Sequence, residues 1–265
     1  MSQQDATWWG DFRLPEGATK EWSIGPLRLA VGRELHEWDV RYEWVESPVG
    51  EVGLSVATAV EALPAYDQQE RYVCRAGGDR LRLRPVLADR PVISRPVVPL
   101  HLLAGEEVTL FVSSPVWLRL AVGEPPRPLT EIAIQRPSDT WFGPSTMEGQ
   151  LCYDSRSQGR LSLERVPRRP HRAVTRVVVR NAGEDAMRLE RLSLPVPYLA
   201  LFAGVDGRLW TRPVTLVRDR SGEMGTVRIH KRVPEEAGDG AELLSPPRER
   251  PDKGSLVRAL SALFG

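Results

Sequence analysis

Residues 108–122 read VTLFVSSPVWLRLAV. Val108, Leu110 and Val112 alternate with Thr109 and Phe111. After Ser113, Ser114 and Pro115 the alternation resumes at Val116, Leu118, Leu120 and Val122, with Arg119 turned the other way. A period of two is the mark of a strand with one face in a core, because successive side chains point to opposite sides of the pleat. The stretch therefore predicts two half-buried antiparallel strands, with a turn at residues 113–115.

The same phrase recurs on both sides. Upstream, apolar runs of strand length lie at residues 27–31, 40–45, 54–60, 72–75 and 81–86, and Gly77, Gly78 and Asp79 predict a hairpin between the last two. Pro85, Pro91, Pro96 and Pro99 follow closely, and proline has no N–H to give a ladder, so that segment is expected on a sheet edge or crossing over one. Downstream, residues 174–194 read strand, turn (residues 181–185), strand, a phrase common in immunoglobulin-like sandwiches, with Arg176 and Arg180 facing outward. Asp206-Gly207 predicts a hairpin between residues 198–203 and 209–216, and Ser221-Gly222 closes another.

The expected fold is all-β: two β-sandwich-like parts, the second immunoglobulin-like. An N-terminal β domain takes residues 1–128 and a C-terminal β-sandwich residues 129–233. Residues 234–254, rich in Pro, Glu, Gly, Asp and Arg, read as a disordered linker. Residues 255–265 read as a short amphipathic helix, capped by Ser255, with Leu256, Val257, Leu260, Leu263 and Phe264 at helical spacing. So short a helix must dock to persist, on another protein, on a groove of its own body or on a second copy of the chain. On this reading, deleting residues 234–265 leaves the core folded.

Composition narrows the class. Hydrophobic residues are 41% and charged residues 27%, enough apolar surface to fold. No apolar run is long enough for a membrane-spanning helix, and residues 1–9 lack the cationic and apolar pair of a secretory signal, so a cytoplasmic location is expected. Cys74 and Cys152 are too few for a disulfide framework and are read as reduced thiols. Charge is uneven: residues 1–67 carry 5 basic and 12 acidic groups, and residues 160–232 carry 16 and 7. That asymmetry suits contact between domains or subunits better than nucleic acid, which is disfavoured as a partner.

Residues 96–122 (PVVPLHLLAGEEVTLFVSSPVWLRLAV), the motif Trp141-Phe142-Gly143-Pro144 leading to Gly149, Cys152 and Tyr153, and residues 174–194 (VTRVVVRNAGEDAMRLERLSL) resemble the family known as domain of unknown function 432. The likeness runs over about residues 33–233. It implies a β-rich protein and carries over no catalytic residue. It also links the chain loosely to genes for small mechanosensitive channels, which makes a membrane channel one implied partner.

Chemical signatures are sparse. His36, His101, His171 and His230 show no metal-ligand spacing with each other or with cysteine, so neither metal nor cofactor is implied. P-loop, GxGxxG and GxSxG motifs do not occur. The densest polar and aromatic segment is residues 140–156 (TWFGPSTMEGQLCYDSR). There Trp141, Phe142 and Tyr153 are candidate ligand-stacking rings, and a nucleophilic Cys152 with His171 as base and Asp154 as orienter is the one conceivable catalytic triad. The bland alternative makes Cys152 a core residue and the aromatics core or rim. Trp8, Trp9, Trp22, Trp38 and Trp44 read as core filling or as a sugar-stacking face. The basic run from Arg165 to Arg180 could track a phosphate backbone but reads first as a solvated face or a surface facing the acidic N-terminal part.

Together these features support a non-enzymatic protein-interaction or regulatory accessory module first. A carbohydrate- or small-ligand-binding β-sandwich stands second, and hydrolysis through Cys152 third.

Overall fold

A computed structural model describes residues 7–46, 54–60, 62–74, 78–143, 145–220, 224–250 and 257–259. It is all-β, with about 54% strand and about 4% helix. Among the described residues the helical ones form three single 3₁₀ turns, at Leu163–Arg165, Val196–Tyr198 and Glu235–Ala237. The chain forms two compact units, each assembled from separated stretches: Met1–Val86, Val116–Arg136 and Arg169–His171 in the first, the remainder in the second.

The first unit begins with β1 (Gly10–Arg13), β2 (Thr19–Ile24), β3 (Leu27–Glu34), β4 (Glu37–Trp44), β5 (Leu54–Val60), β6 (Gln68–Val73) and β7 (Arg80–Val86). The chain then gives the second unit β8 (Val92–Pro96), β9 (Leu100–Leu102) and β10 (Glu107–Pro115). It returns to the first with β11 (Trp117–Val122) and β12 (Arg127–Ala133). The second unit is completed by β13 (Asp139–Phe142), β14 (Gln150–Gly159), β15 (Arg172–Asn181), β16 (Met187–Leu189), β17 (Leu192–Leu194), β18 (Leu201–Ala203), β19 (Leu209–Thr211), β20 (Val214–Arg218), β21 (Met224–Ile229), β22 (Glu242–Ser245) and β23 (Val257–Ala259).

In the first unit the sheets run β5-β2-β3-β4-β6 and β1-β7-β11-β12, all antiparallel. Alternation on β3 and β4 sends Leu27, Leu29 and Val31 to the same face as Val40 and Trp38. That face meets the other sheet, for Phe12 packs edge-on against Trp22 at 5.3 Å and the Trp44 indole N–H donates to the Ala133 carbonyl at 2.8 Å. Trp8, Trp22 and Trp38 are wholly buried, so these three indoles fill the core. Each removes roughly 200 Å² from water, worth about 5 kcal/mol. The opposite face of β3 is covered too, by residues 62–67: Tyr66 bonds Glu21, Arg41 bonds the Pro64 carbonyl, and Leu63 lies where a Cβ on Gly32 would stand only 2.7 Å from it.

In the second unit β15 is the spine. β10 pairs with it over nine residues on one edge, Glu107 opposite Arg180 through Pro115 opposite Arg172, while β19 and β20 pair parallel with it on the other. A separate sheet runs β13-β14-β8-β17, with β14 and β8 parallel. The Asp206-Gly207 hairpin forms as expected between β18 and β19, with Gly207 at a φ of 77°. The turn at residues 181–185 also forms, held by the buried Asn181 side chain, which donates to the Leu102 and Asp185 carbonyls.

Several expectations need correction. Residues 113–115 make no turn: they end β10, and the chain passes there from the second unit to the first, so β10 and β11 are never partners. The two strands alternate because each has its own core. β6 and β7 are not the two arms of one hairpin, since β6 pairs with β4 whereas β7 pairs with β1 and β11; Gly77 lies outside the described residues. β8 is not an edge strand: it lies between β14 and β17, tolerated because Pro91 precedes it and Pro96 ends it. The strands of residues 174–194 are not each other's partners, as β16 pairs with β9 and β17 with β8. Unit membership changes several times along the chain, so a single cut near residue 128 does not describe it.

The segment read as a disordered linker carries a 3₁₀ turn and β22, which pairs with β18, and it contributes wholly buried Ala237 to a core with Phe111, Val174 and Trp210. Its few apolar residues suffice because β18 offers an open edge. Of the expected C-terminal helix only Val257–Ala259 lies among the described residues, and these three form β23 against β21. A free strand edge supplies backbone partners at once, whereas a helix nucleus this short must first order several residues. The Ser221-Gly222 turn lies outside the described residues.

Candidate functional site

The polar run Asp154-Ser155-Arg156-Ser157-Gln158 falls in the middle of β14. Asp154 pairs with Ile93 and Gln158 with Arg95, so three residues of β14 stand against Ser94 alone and the strand bulges. At the crest Arg156 has a φ of 50°, in the left-handed region that non-glycine residues avoid. Such a conformation persists only where its surroundings enforce it. Here they do: Asp154 Oδ1 accepts the Arg156 N–H at 2.9 Å, and the Ser155 hydroxyl accepts the Ser157 N–H while donating to the Ser157 carbonyl.

Beneath the bulge lies Arg172, 3% exposed, in the first position of β15. Its Nε donates to Ser113 Oγ at 2.8 Å, and its Nη2 to the Ser113 and Ser155 carbonyls at 2.6 Å each and to Ser157 Oγ at 3.0 Å. The Ser157 hydroxyl in turn donates to the Ser113 carbonyl at 2.6 Å. A buried guanidinium is tolerated only when its N–H groups are met by acceptors, and these acceptors come from β10 and from the bulge itself.

The bulge forms one wall of a cleft of about 620 Å³. Three guanidinium groups line it from three stretches of chain: Arg95 at the end of β8, Arg156 on the bulge, and Arg191 in the link between β16 and β17. Two carboxylates, Asp154 and Glu190, share the lining, and Pro96, Val97 and Pro99 give it an apolar side. Glu190 is engaged by Arg188 at 2.7 Å. The Arg191 guanidinium sits 5.1 Å from the Phe142 ring centroid, a cation–π contact that holds the group through its face. Among the described residues, Arg95 and Arg156 have no ion-pair partner.

Around this cleft the sequence-derived candidates scatter. Cys152 is wholly enclosed with Phe142 and Ile93, and its thiol donates to the Gln150 carbonyl at 3.6 Å. Asp154 is on the same strand but holds the Arg156 backbone. His171 belongs to the other unit, against Gly25. Cys152 and Asp154 thus share a strand, and His171 does not join them in one unit. Phe142 is core and Tyr153 nearly so, with its hydroxyl donating to Asp89 at 3.0 Å and Arg90 over its ring. Burial, followed by that bond to Asp89, pushes the Tyr153 phenol up to about 12, so at neutral pH it is a donor and not a base. Trp141 alone is open, 44% exposed beside its cross-strand partner Leu151, and Met147 projects from the same hairpin. Its indole N–H donates to the Ser145 carbonyl at 2.7 Å.

Of the sequence candidates, Asp154 lies in the cleft lining, whereas Trp141, Phe142, Cys152 and Tyr153 lie outside it and His171 belongs to the other unit. Residues 140–156 do run into the cleft, at Asp154 and Arg156. Arg95, Arg191 and the supporting Arg172 were missed, for they come from distant stretches. The legible signal was five consecutive polar residues inside a strand-length segment, which alternation does not allow in an unbroken ladder. Among the described residues no three His, Cys, Asp or Glu converge as metal ligands, and no helix is long and apolar enough to cross a membrane.

The model of the family described as "Protein of unknown function (DUF432)" matches residues 8–264. No curated protein and no solved structure matches the chain.

Proposed function

Since the chain belongs to the DUF432 family, whose description names no activity, we propose from the geometry that it is a non-enzymatic binding module that recognises an acidic small ligand in the cleft at the β14 bulge and acts as a regulatory accessory. The observation that carries this reading is Arg156, held in a costly left-handed conformation at the lip of the cleft by a network rooted in Arg172. Strain of this kind is retained where it aims a side chain. A cleft of about 620 Å³ falls in the size range of small-ligand sites, and a lining in which seven of ten residues are polar or charged suits a charged ligand. Hydrolysis through Cys152 has no support from a thiol enclosed by Phe142 and Ile93.

Thermal shift of the full chain against acidic, neutral and sugar ligands tests the proposal. An acidic ligand at about 100 times its Kd stabilises by about 2.7 kcal/mol, several degrees in Tm. That shift should vanish in Arg156→Ala and survive in Cys152→Ala. A shift produced by neutral ligands alone, or one untouched by Arg156→Ala, would sink it.

A protein-contact reading has separate support in Trp141, Leu151 and Met147, exposed together on the outer hairpin of their sheet. Aromatic and methionine side chains are enriched at protein contacts. A stoichiometric partner recovered from cells by the wild-type chain and lost with Trp141→Ala would support it, and equal recovery by both would remove it.

A further inference from the structure

We infer that the ligand of the β14 cleft is a phosphomonoester, bound as its dianion; this rests on the reading of the cleft as an acidic-ligand site. Charge is the first reason. Arg95, Arg156 and Arg191 bring three positive charges to the lining, and Asp154 and Glu190 bring two negative ones. Glu190 is already engaged by Arg188. With the Glu190 charge met by Arg188, which lies outside the lining, three guanidinium groups and one carboxylate remain, a net +2. A phosphomonoester carries close to −2 above its second pKa of about 6, so it neutralises the site, where a single carboxylate leaves half the charge unmet.

Shape is the second reason. A planar carboxylate is best met by one guanidinium in a two-pronged pair. Here the guanidinium-bearing residues come from β8, from the bulge of β14 and from the link between β16 and β17, so three separate stretches of chain bring them to one lining. A tetrahedral group with three terminal oxygens can accept from all three. Arginine's fork geometry suits phosphate oxygens as well as it suits carboxylates.

The apolar side is the third. Pro96, Val97 and Pro99 offer a surface to the organic part of an ester, which inorganic phosphate lacks. Asp154, directed at the bulge backbone through one oxygen, stands at the same rim, where its second oxygen can accept from a ligand hydroxyl. A small polyhydroxylated or nucleoside phosphate meets all of these features. A nucleic-acid strand would call for a basic groove with interleaved aromatic platforms along many nucleotides, and this cleft is short and walled by proline and valine.

The test is calorimetric titration of the full chain with inorganic phosphate, a sugar monophosphate, a nucleoside monophosphate, sulfate, a dicarboxylate and a short single-stranded oligonucleotide. At least one monophosphate should bind more tightly than inorganic phosphate and than the dicarboxylate. Arg95→Ala, Arg156→Gly and Arg191→Ala should each weaken it by about 10- to 100-fold, the loss of one charge-assisted contact. Arg156→Gly is the controlling variant, because glycine adopts the bulge conformation without strain and the fold stays intact. The lining contains no histidine, and its charged groups are Arg95, Arg156, Arg191, Asp154 and Glu190, the last paired with Arg188. Affinity should therefore follow the ligand's own titration, about tenfold weaker at pH 5 than at pH 7.5. A dicarboxylate or sulfate that binds better and needs Arg156 would overturn the phosphomonoester and leave the acidic-ligand module standing. Tighter, steeply salt-dependent binding of the oligonucleotide would overturn it in favour of nucleic acid. Binding of no anion at millimolar concentration would remove the inference and the module together.

Discussion

Arg172 and Ser113 make two contacts across the β10–β15 pair: Nε meets the serine hydroxyl at 2.8 Å and Nη2 meets its carbonyl at 2.6 Å. The same Nη2 also reaches the Ser155 carbonyl at 2.6 Å, so one buried guanidinium ties the spine of the second unit to the bulge that shapes the cleft. Position and support of the site are therefore one network.

Arg172→Met should destabilise the second unit by about 3 kcal/mol, because the Ser113 and Ser155 carbonyls lose donors in a place where water does not replace them. Arg172→Lys keeps the charge but not the fork, and should recover only part of the loss. Denaturant unfolding of the three proteins measures this. A Met variant within about 0.5 kcal/mol of wild type would show that the network contributes little.

Replacing Arg156 separates strain from function. Arg156→Gly should raise stability by about 1 kcal/mol, the ordinary cost of holding a side chain in the left-handed region. Arg156→Val should lower it, since a β-branched residue tolerates that region least. Equal midpoints for Gly, Val and Arg in denaturant would mean that the bulge relaxes freely.

Tyrosine ionisation gives a pH test. Burial first, and then the neighbouring Glu70, push the Tyr42 phenol up to about 12; burial first, and then Asp89, push Tyr153 up to about 12 as well, and Tyr66 and Tyr72 are also raised. A phenol whose pKa is raised on folding contributes stability that is present below its unfolded pKa of about 10 and is lost as pH climbs through the folded value. At pH 11 the native chain should therefore keep most of its tyrosines protonated, whereas in denaturant they ionise near pH 10. Tyrosinate absorbance reads this directly. Tyr153→Phe should remove one late-titrating group and reduce the loss of stability between pH 10 and 12. A native titration superimposable on the denatured one would contradict the burial of these rings.

Truncation tests the end of the second unit. A chain ended at residue 233 loses β22, the buried Ala237, and the bond from Arg248 Nε to the Leu87 carbonyl at 2.6 Å. Its Tm should fall by at least about 6 °C, the equivalent of two or three kcal/mol for a unit of this size. A chain ended at residue 250 keeps all three features and should melt closer to the full protein. Equal Tm for both truncations and the full chain would return residues 234–250 to the status of a linker.

Much was legible in the order of residues. Alternation at Val108, Leu110 and Val112, and again at Leu118, Leu120 and Val122, fixes each stretch as a strand with a buried face, because side-chain direction follows from the pleat alone. Asp206-Gly207 closes its hairpin because a positive φ at glycine is a local property. The all-β class follows from such local facts summed along the chain. Pairing does not. Nothing near Ser113 says that its strand ends against Arg172 and not in a turn, and nothing near Asp79 says that β6 and β7 part for different neighbours. Strand partners are chosen by competition among all edges for backbone donors and apolar cover. For the same reason the cleft was invisible: Arg95, Arg156 and Arg191 are ordinary arginines on ordinary strands and links until β8 settles beside β14 and brings their charges to one surface.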